Sequence, residues 1–382
     1  DFNLLTSNYA KDATILPNRQ IVKRAQEGVP FLYVDKDPYI VLTREGKLVW
    51  VLDAYTLTDQ FPYSQVYAGM NYIRNSVKVI VDAYDGKVNY YIIDDTDPLI
   101  NAYDAMYPGI FKREELPVDI KEHMKYPEFL FEMQTDLMKK YHLDETEVSA
   151  FYSQQDLWDI AKYPADGTTG SVKDIDSYYL NLRLPAVGEK EELVIVRPFT
   201  PSSAERHNMV SWLTARNNYE NYGELILYNY PKNTNVFGPY QVEVKINQID
   251  QISKDMTLWG QSGSDVYKGS LLVIPIENSI LYVEPIYIKA AGSSAIPEVR
   301  EVVTGFQSGE QFIFGIGNDV KDAVTNMFSK VGVVIPDEGE VTIPDGSTVS
   351  EEVLKQLKDM YEQLQKQLDE LSTLINSLEG TN

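Results

Sequence analysis

From Ser177 to about Ile316 the chain repeats one pattern: a short apolar run, a turn signal, another run. The runs read "SYYLNLRLP", "EELVIVRPF", "GELILYNYP", "QVEVKI", "GSLLVIPI", "ILYVEPIYIKA" and "QFIFGIG". Segments this short, rich in β-branched and aromatic residues and punctuated by Gly, Pro and Asn, predict strands. The pattern also appears upstream. Residues 29–56 alternate and contain the turn "REGK". Residues 75–94, "NSVKVIVDAYDGKVNYYIID", predict a hairpin whose "DAYDGK" supplies an Asp-Gly turn. Such a chain must build sheets, and sheets need something to cover their apolar faces.

Helical period supplies the cover. "DPLINAYDAMYPGIF" (97–111) predicts a short helix stopped by Pro-Gly. Residues 118–161 are helical in period, with Phe129, Met133, Leu137 and Tyr141 as one apolar stripe. "ERHNMVSWLTARN" (205–217) predicts a helix that interrupts the strands. "NDVKDAVTNMFSKVG" (318–332) predicts another, capped by Asn318 or Asp319 and ended by Gly332. Near the C-terminus, Leu354, Leu357, Tyr361, Leu364, Leu368, Leu371, Ile375 and Leu378 recur every three or four residues, a heptad seam. It serves self-association or packing back on the chain's own domain; periodicity fits both. The fold class is therefore α+β: strand-rich mixed domains, a helical middle segment and a C-terminal, coiled-coil-like heptad helix. The expected organisation is an N-terminal arm or linker (1–20), a strand-rich subdomain (21–117), a helical segment (118–170), a second strand-rich α+β subdomain (171–334), a linker (335–349) and the heptad helix (350–382).

Composition narrows the function. The chain has 382 residues, a net charge of −23 and a pI of about 4.5. That argues against nucleic acid, which demands a basic face, and against docking on anionic lipid. There are no cysteines, which removes disulfides, thiolate catalysis and Cys-ligated zinc. No apolar run reaches the roughly 20 residues a membrane-spanning helix needs. The chain starts at Asp1 without Met, as expected of a piece of a longer protein.

Candidate site residues are few. "DKDP" places Asp35 and Asp37 two apart, and "DDTDP" groups Asp94, Asp95 and Asp97. Clustered carboxylates suit a hard cation such as Ca²⁺, but Asp before Pro is also a common turn starter. Turns are the preferred reading, with no cofactor other than Ca²⁺ kept in view. The string Asp-Ala-Tyr occurs twice, at Asp53 and Asp82. Both aspartates are expected to bond to backbone at strand ends, with Tyr55 and Tyr84 reaching polar partners. Arg74, Arg216 and Glu284 interrupt apolar stretches, and we expect internal ion pairs there, a ligand-binding arginine being the sharper alternative. Arg216 would lie on the helix, with Trp212 one turn earlier. His142 falls near a helix end, where a cation is favoured. No zinc-protease spacing, nucleophile elbow or phosphate loop is present.

Several longer stretches carry a resemblance: "PFLYVDKDPYIV", "VWVLDAYTLTDQFPYS", "NYIRNSVKVIVDAYDG", "YPEFLFEMQTDLMKKYH", "GPYQVEVKINQ" and "TLWGQSGSDVYKGSLLVIPI". Together they resemble the extracytoplasmic portion of the bacterial membrane proteins of uncharacterised protein family 0182, from about Arg24 to about Ser329. The resemblance implies membrane-spanning segments before Asp1 and a location outside the cytoplasm. The hairpin at 76–94 is also similar to PepSY-type modules, often linked to peptidases, although any Asp-Gly hairpin would produce it. The expected function is a non-catalytic interaction domain of a multi-pass membrane protein, binding an envelope protein partner or self-associating. The alternatives are a small-solute or cation-binding gating domain and, third, a hydrolase.

Overall fold

The computed structural model describes residues 18–330, apart from 144–147, 165–170, 185–186, 188–189, 204–205, 262, 277–278, 291–294 and 309–310. The heptad helix and its linker lie outside the described residues, as does the N-terminal arm up to residue 17. The chain divides into two compact units: Asp1–Met133 with Asn217–Gly223, and Gln134–Arg216 with Glu224–Asn382.

The first unit holds α1 (Ile21–Gly28), β1 (Tyr33–Val34), β2 (Tyr39–Leu42), β3 (Leu48–Thr58), β4 (Tyr72–Asp82), β5 (Val88–Ile92), α2 (Pro98–Met106), β6 (Phe111–Lys112), α3 (Val118–Glu122) and the start of α4 (Glu128–Tyr141). Its strands form one sheet in the order β1-β3-β4-β5-β6, with β2 pairing β3. The long β3 and β4 are buried on both faces over their middles. One face carries Leu52, Ala54, Val77, Val79 and Val81, packed with Ala25 and Ile100 of the helices. The other carries Val51, Ile80 and Tyr91, packed with Ile120 and Met124. A bulge between Ala54 and Thr56 inserts Tyr55 and breaks the strict alternation. The predicted hairpin is present as β4–β5, with Val81 opposite Val88 and Gly86 in the left-handed region its turn requires. The helix predicted at 97–111 is α2. Asp97 caps it, and Pro98 occupies the first turn, where a missing N–H costs nothing.

The second unit holds α5 (Val148–Tyr152), β7 (Trp158–Ile160), β8 (Lys162–Pro164), β9 (Val172–Asp174), β10 (Tyr178–Arg183), β11 (Glu191–Pro201), β12 (Ser211–Arg216), β13 (Leu225–Asn229), α6 (Pro239–Asn247), α7 (Asp250–Gln261), β14 (Asp265–Lys268), β15 (Leu272–Ile276), β16 (Ser279–Lys289), β17 (Glu298–Ser308), β18 (Gln311–Gly317) and α8 (Val320–Lys330). One sheet orders β10-β11-β12-β13 with β7 on β11; another orders β14-β16-β17-β18 with β15 on β16. The latter is covered on both faces. Ala323, Val324, Met327 and Phe328 of α8 pack on Leu281, Val283, Val302 and Phe306. Val242 and Ile246 of α6 and Ile252 of α7 pack with Tyr282, Ile286 and Val303. Gly315 and Gly317 let α8 sit directly on β18: a Cβ at Gly315 would stand 1.9 Å from the Ala323 carbonyl oxygen.

Three expectations are corrected. Residues 211–216 form β12, not a helix, because β11 and β13 pair with them on both sides and bury five of the six. "QVEVKI" lies in helix α6, not a strand. Gly238-Pro239 starts the helix, Gln241 accepts from the Gly238 N–H, and Val242 and Ile246 share a buried face. The helical middle segment ends early: α3, α4 and α5 are followed by β7, which pairs with β11. The helix predicted at 318–332 is α8, with the Asp319 carboxylate accepting from the Asp322 N–H at 2.8 Å.

Candidate functional site

At the centre of the first sheet, Asp53 of β3 and Lys78 of β4 stand opposite each other in register. Lys78 Nζ lies 2.6 Å from Asp53 Oδ1, and both side chains are buried. Asn75 Nδ2 donates to Asp53 at 2.8 Å and lies 3.0 Å from the Tyr222 hydroxyl. Lys78 also donates to the Lys125 carbonyl at 3.0 Å, beneath the Tyr222 ring. Burial pushes the Asp53 carboxyl up and the Lys78 ammonium down, while each partner's charge opposes that shift. Asp53 thus does more than the strand-end role expected of it: its partners are side chains on the neighbouring strand. Asp82 does take the expected role, accepting from the N–H groups of Tyr84 and Asp85.

The acidic stretches resolve into turns, caps and ion pairs. The Tyr55 hydroxyl donates to Asp35, which also accepts from the Asp37 N–H at 3.1 Å. Burial, then the charges of Asp53 and Asp35, raises the Tyr55 pKa. Asp37 pairs with Lys125 at 3.0 Å. Asp94 pairs with Arg74 at 2.5 Å, and Arg74 also reaches the Thr96 hydroxyl at 2.8 Å. The Asp95 carbonyl accepts from Asn101. Asp97 is the busiest: Thr56 and Ser76 donate to one oxygen at 2.5 Å each, while Tyr72 and the Leu99 N–H donate to the other. Burial opposes its charge, but the hydrogen bonds outweigh burial and hold its pKa below the usual carboxylate value. Burial followed by the bond to Asp97 pushes Tyr72 up to about 12. Among the described residues no group of three or more acidic or histidine side chains is arranged to hold a metal ion.

In the second unit Lys268 of β14 lies between two buried carboxylates, 2.9 Å from Glu243 of α6 and 3.1 Å from Glu284 of β16. Burial, then the neighbouring Glu243, raises the Glu284 pKa well above its ordinary value, while its hydrogen bonds and Lys268 hold Glu243 below its own against burial. Arg216 of β12 pairs with Glu192 of β11 at 2.9 Å and Glu224 at 2.7 Å. Arg197, buried in β11, donates to the Ile175 carbonyl and the Thr135 hydroxyl. His142 stacks on Trp158 at 3.6 Å, with its Nδ1 2.9 Å from the Met138 carbonyl. Arg74, Arg216 and Glu284 are thus each in ion pairs, but the structure does not bring them together. The partners Lys78, Glu243 and Lys268 were missed. The signal was present: Lys78 is a lone cation inside "SVKVIVD".

The first unit also exposes apolar side chains at the tip of the β3–β4 hairpin, residues 59–71. Phe61, Tyr63 and Val66 are exposed there, Tyr63 completely. Tyr63, Ala68 and Gly69 take the left-handed conformation, and Tyr67 and Met70 bridge across the loop. Asn71 clamps Phe61 by two bonds, its side chain accepting from the Phe61 N–H at 3.0 Å and donating to the Phe61 carbonyl at 2.7 Å. Phe61 stacks on Tyr72. The tip is therefore a shaped aromatic surface, and Asp59 is the one charged residue in 59–71.

No described helix is long and apolar enough to cross a membrane. No solved structure matches this chain. The family model "Uncharacterised protein family (UPF0182)" matches residues 1–259. A UPF0182 protein of Caldicellulosiruptor saccharolyticus is 41% identical over 376 residues, 97% of this chain and 40% of the relative. One from Alkaliphilus metalliredigens is 45% identical over 313 residues, 81% of this chain and 32% of the relative. One from Clostridium acetobutylicum is 41% identical over 363 residues, 94% and 39% respectively. The chain thus spans two-fifths or less of the length of these curated relatives. On the family match and these identities, the chain belongs to the uncharacterised protein family UPF0182.

Proposed function

We propose that this chain is a non-catalytic, extracytoplasmic interaction domain of a longer bacterial membrane protein, and that it docks an envelope protein partner. The observation that carries this reading is the β3–β4 tip, where Phe61, Tyr63 and Val66 are exposed on a loop held in shape by Asn71 and Tyr72. Aromatic side chains with few rotatable bonds anchor protein interfaces, and charge is depleted from interface centres. A nearly neutral tip on a chain of net charge −23 has that character. A peptidase-related partner is consistent with the PepSY-like hairpin. The experiment is co-purification from crosslinked cells carrying the full-length protein. Wild type retains one partner in near-stoichiometric amount, and Phe61→Ser/Tyr63→Ser loses it. Equal recovery with both forms, or no specific partner, defeats the proposal.

A further inference from the structure

A second surface, independent of the hairpin tip, lies along the free edge of the β14–β18 sheet. β18 pairs only with β17 among the described strands. The Ile316 carbonyl accepts from Asn326 Nδ2 at 2.8 Å, so Ile316 directs its backbone away from β17. In an antiparallel strand residues two apart share that direction, so Phe312 and Phe314 also present their N–H and C=O groups outward. Beside them runs an open groove of about 660 Å³, lined by Lys245, Asp250, Gln311, Phe312, Phe314 and Lys330. Lys330 Nζ lies 3.4 Å from the Phe314 ring centroid, and Lys245 Nζ lies 4.7 Å from that of Phe237. Among the described residues each lysine has an aromatic ring and no carboxylate as its close partner.

We propose that the outer edge of β18 accepts an extended acidic peptide from a partner protein as an added strand. The free backbone groups of Phe312 and Phe314 supply the ladder, and Lys330 and Lys245 receive the carboxylates. Charge narrows the occupant to an acidic strand. A neutral or basic strand meets Lys330 across its path, whereas an acidic strand turns the same ammonium into a partner. A second copy of this chain would offer its own β18, "QFIFGIG", which carries no carboxylate for the two lysines. Asp250 repels part of the groove, which places the carboxylates toward the two lysines.

The test uses the full chain and a short fluorescein-labelled peptide of alternating Val and Glu, with a Val and Lys peptide as control. Binding is read by fluorescence anisotropy, and edge occupancy by hydrogen exchange. The acidic peptide binds, the basic one does not, and the Phe312 and Phe314 amides exchange more slowly in the complex. Lys245→Glu/Lys330→Glu, two changes at the surface, weakens binding by about tenfold while leaving the melting temperature unchanged. Phe314→Pro removes one outward donor together with the ring beneath Lys330, and weakens binding as well. The proposal is overturned by equal binding of both peptides, by no binding, or by unchanged exchange at Phe312 and Phe314. It is also overturned if those amides are protected before peptide is added, since a second copy or another segment of the same chain then covers the edge.

Discussion

Lys78 and Asp53 satisfy one another inside the sheet, and removing one strands the other. Lys78→Met is expected to cost about 3–5 kcal/mol, because an unpaired buried carboxylate is left behind. Adding Asp53→Leu to it should recover most of that loss, since an apolar pair of similar volume needs no solvation. Urea denaturation of the two variants gives the comparison. Glu284 gives a pH signature. Its folded pKa lies above its ordinary 4.5, so between those two values the folded chain binds more protons than the unfolded chain. Its contribution to stability is complete below about 4.5 and falls as the pH rises toward the folded value. Glu243, held below its ordinary value, acts with the opposite sign, its contribution appearing as pH rises through the acid range. Glu284→Gln keeps the neutral hydrogen-bonding form and should flatten the falling limb in a melting series run upward from pH 5.

At the scale of elements, Asp97 ties the start of α2 to β3 and β4. Asp97→Ala removes a cap and leaves Thr56, Ser76 and Tyr72 without their acceptor. A loss on the order of 2–4 kcal/mol is expected by denaturant titration. Because its folded pKa is depressed, the stabilisation is present above its ordinary 3.8 and lost as pH falls through the lower folded value. Gly315→Ala drives a methyl group against the α8 backbone and should cost about 1–3 kcal/mol, measured the same way. Much of this layer was legible in the sequence. The Asp-Gly hairpin, the short helix α2 ahead of Pro-Gly and the Asp319 cap of α8 all rest on local chemistry that operates inside a few residues. Two segments were misread in opposite directions. "VSWLTAR" carries residues acceptable to a helix, and only the flanking β11 and β13 make it a strand. "VEVKI" satisfies period two and the i, i+4 spacing at once, and the Gly-Pro start decides for helix. The charged residues were legible as interruptions of apolar runs. Their partners were not, because Asp53 with Lys78, and Glu243 with Lys268 and Glu284, meet only through sheet register and helix packing.

In the whole molecule, buried charge and apolar packing hold each unit together, and exposed side chains are what each unit offers outward. Buried charge pairs fix strand register within each unit. The chain's net charge of −23 opposes self-association by repulsion at low ionic strength. Against that background the exposed, nearly neutral aromatic tip is the surface on which we propose that a partner docks. Phe61 and Tyr63 bear little of the fold's weight, so Phe61→Ser/Tyr63→Ser should leave the melting temperature within about 2 °C of wild type, in keeping with exposed substitutions. The most direct measurement places a photo-crosslinking amino acid at Tyr63 in the full-length protein in living cells, with Tyr152, an exposed tyrosine of the other unit, as the control position. One discrete crosslinked protein is expected from Tyr63, and none shared with Tyr152. No adduct from Tyr63, or the same diffuse set from both positions, would contradict docking at the tip.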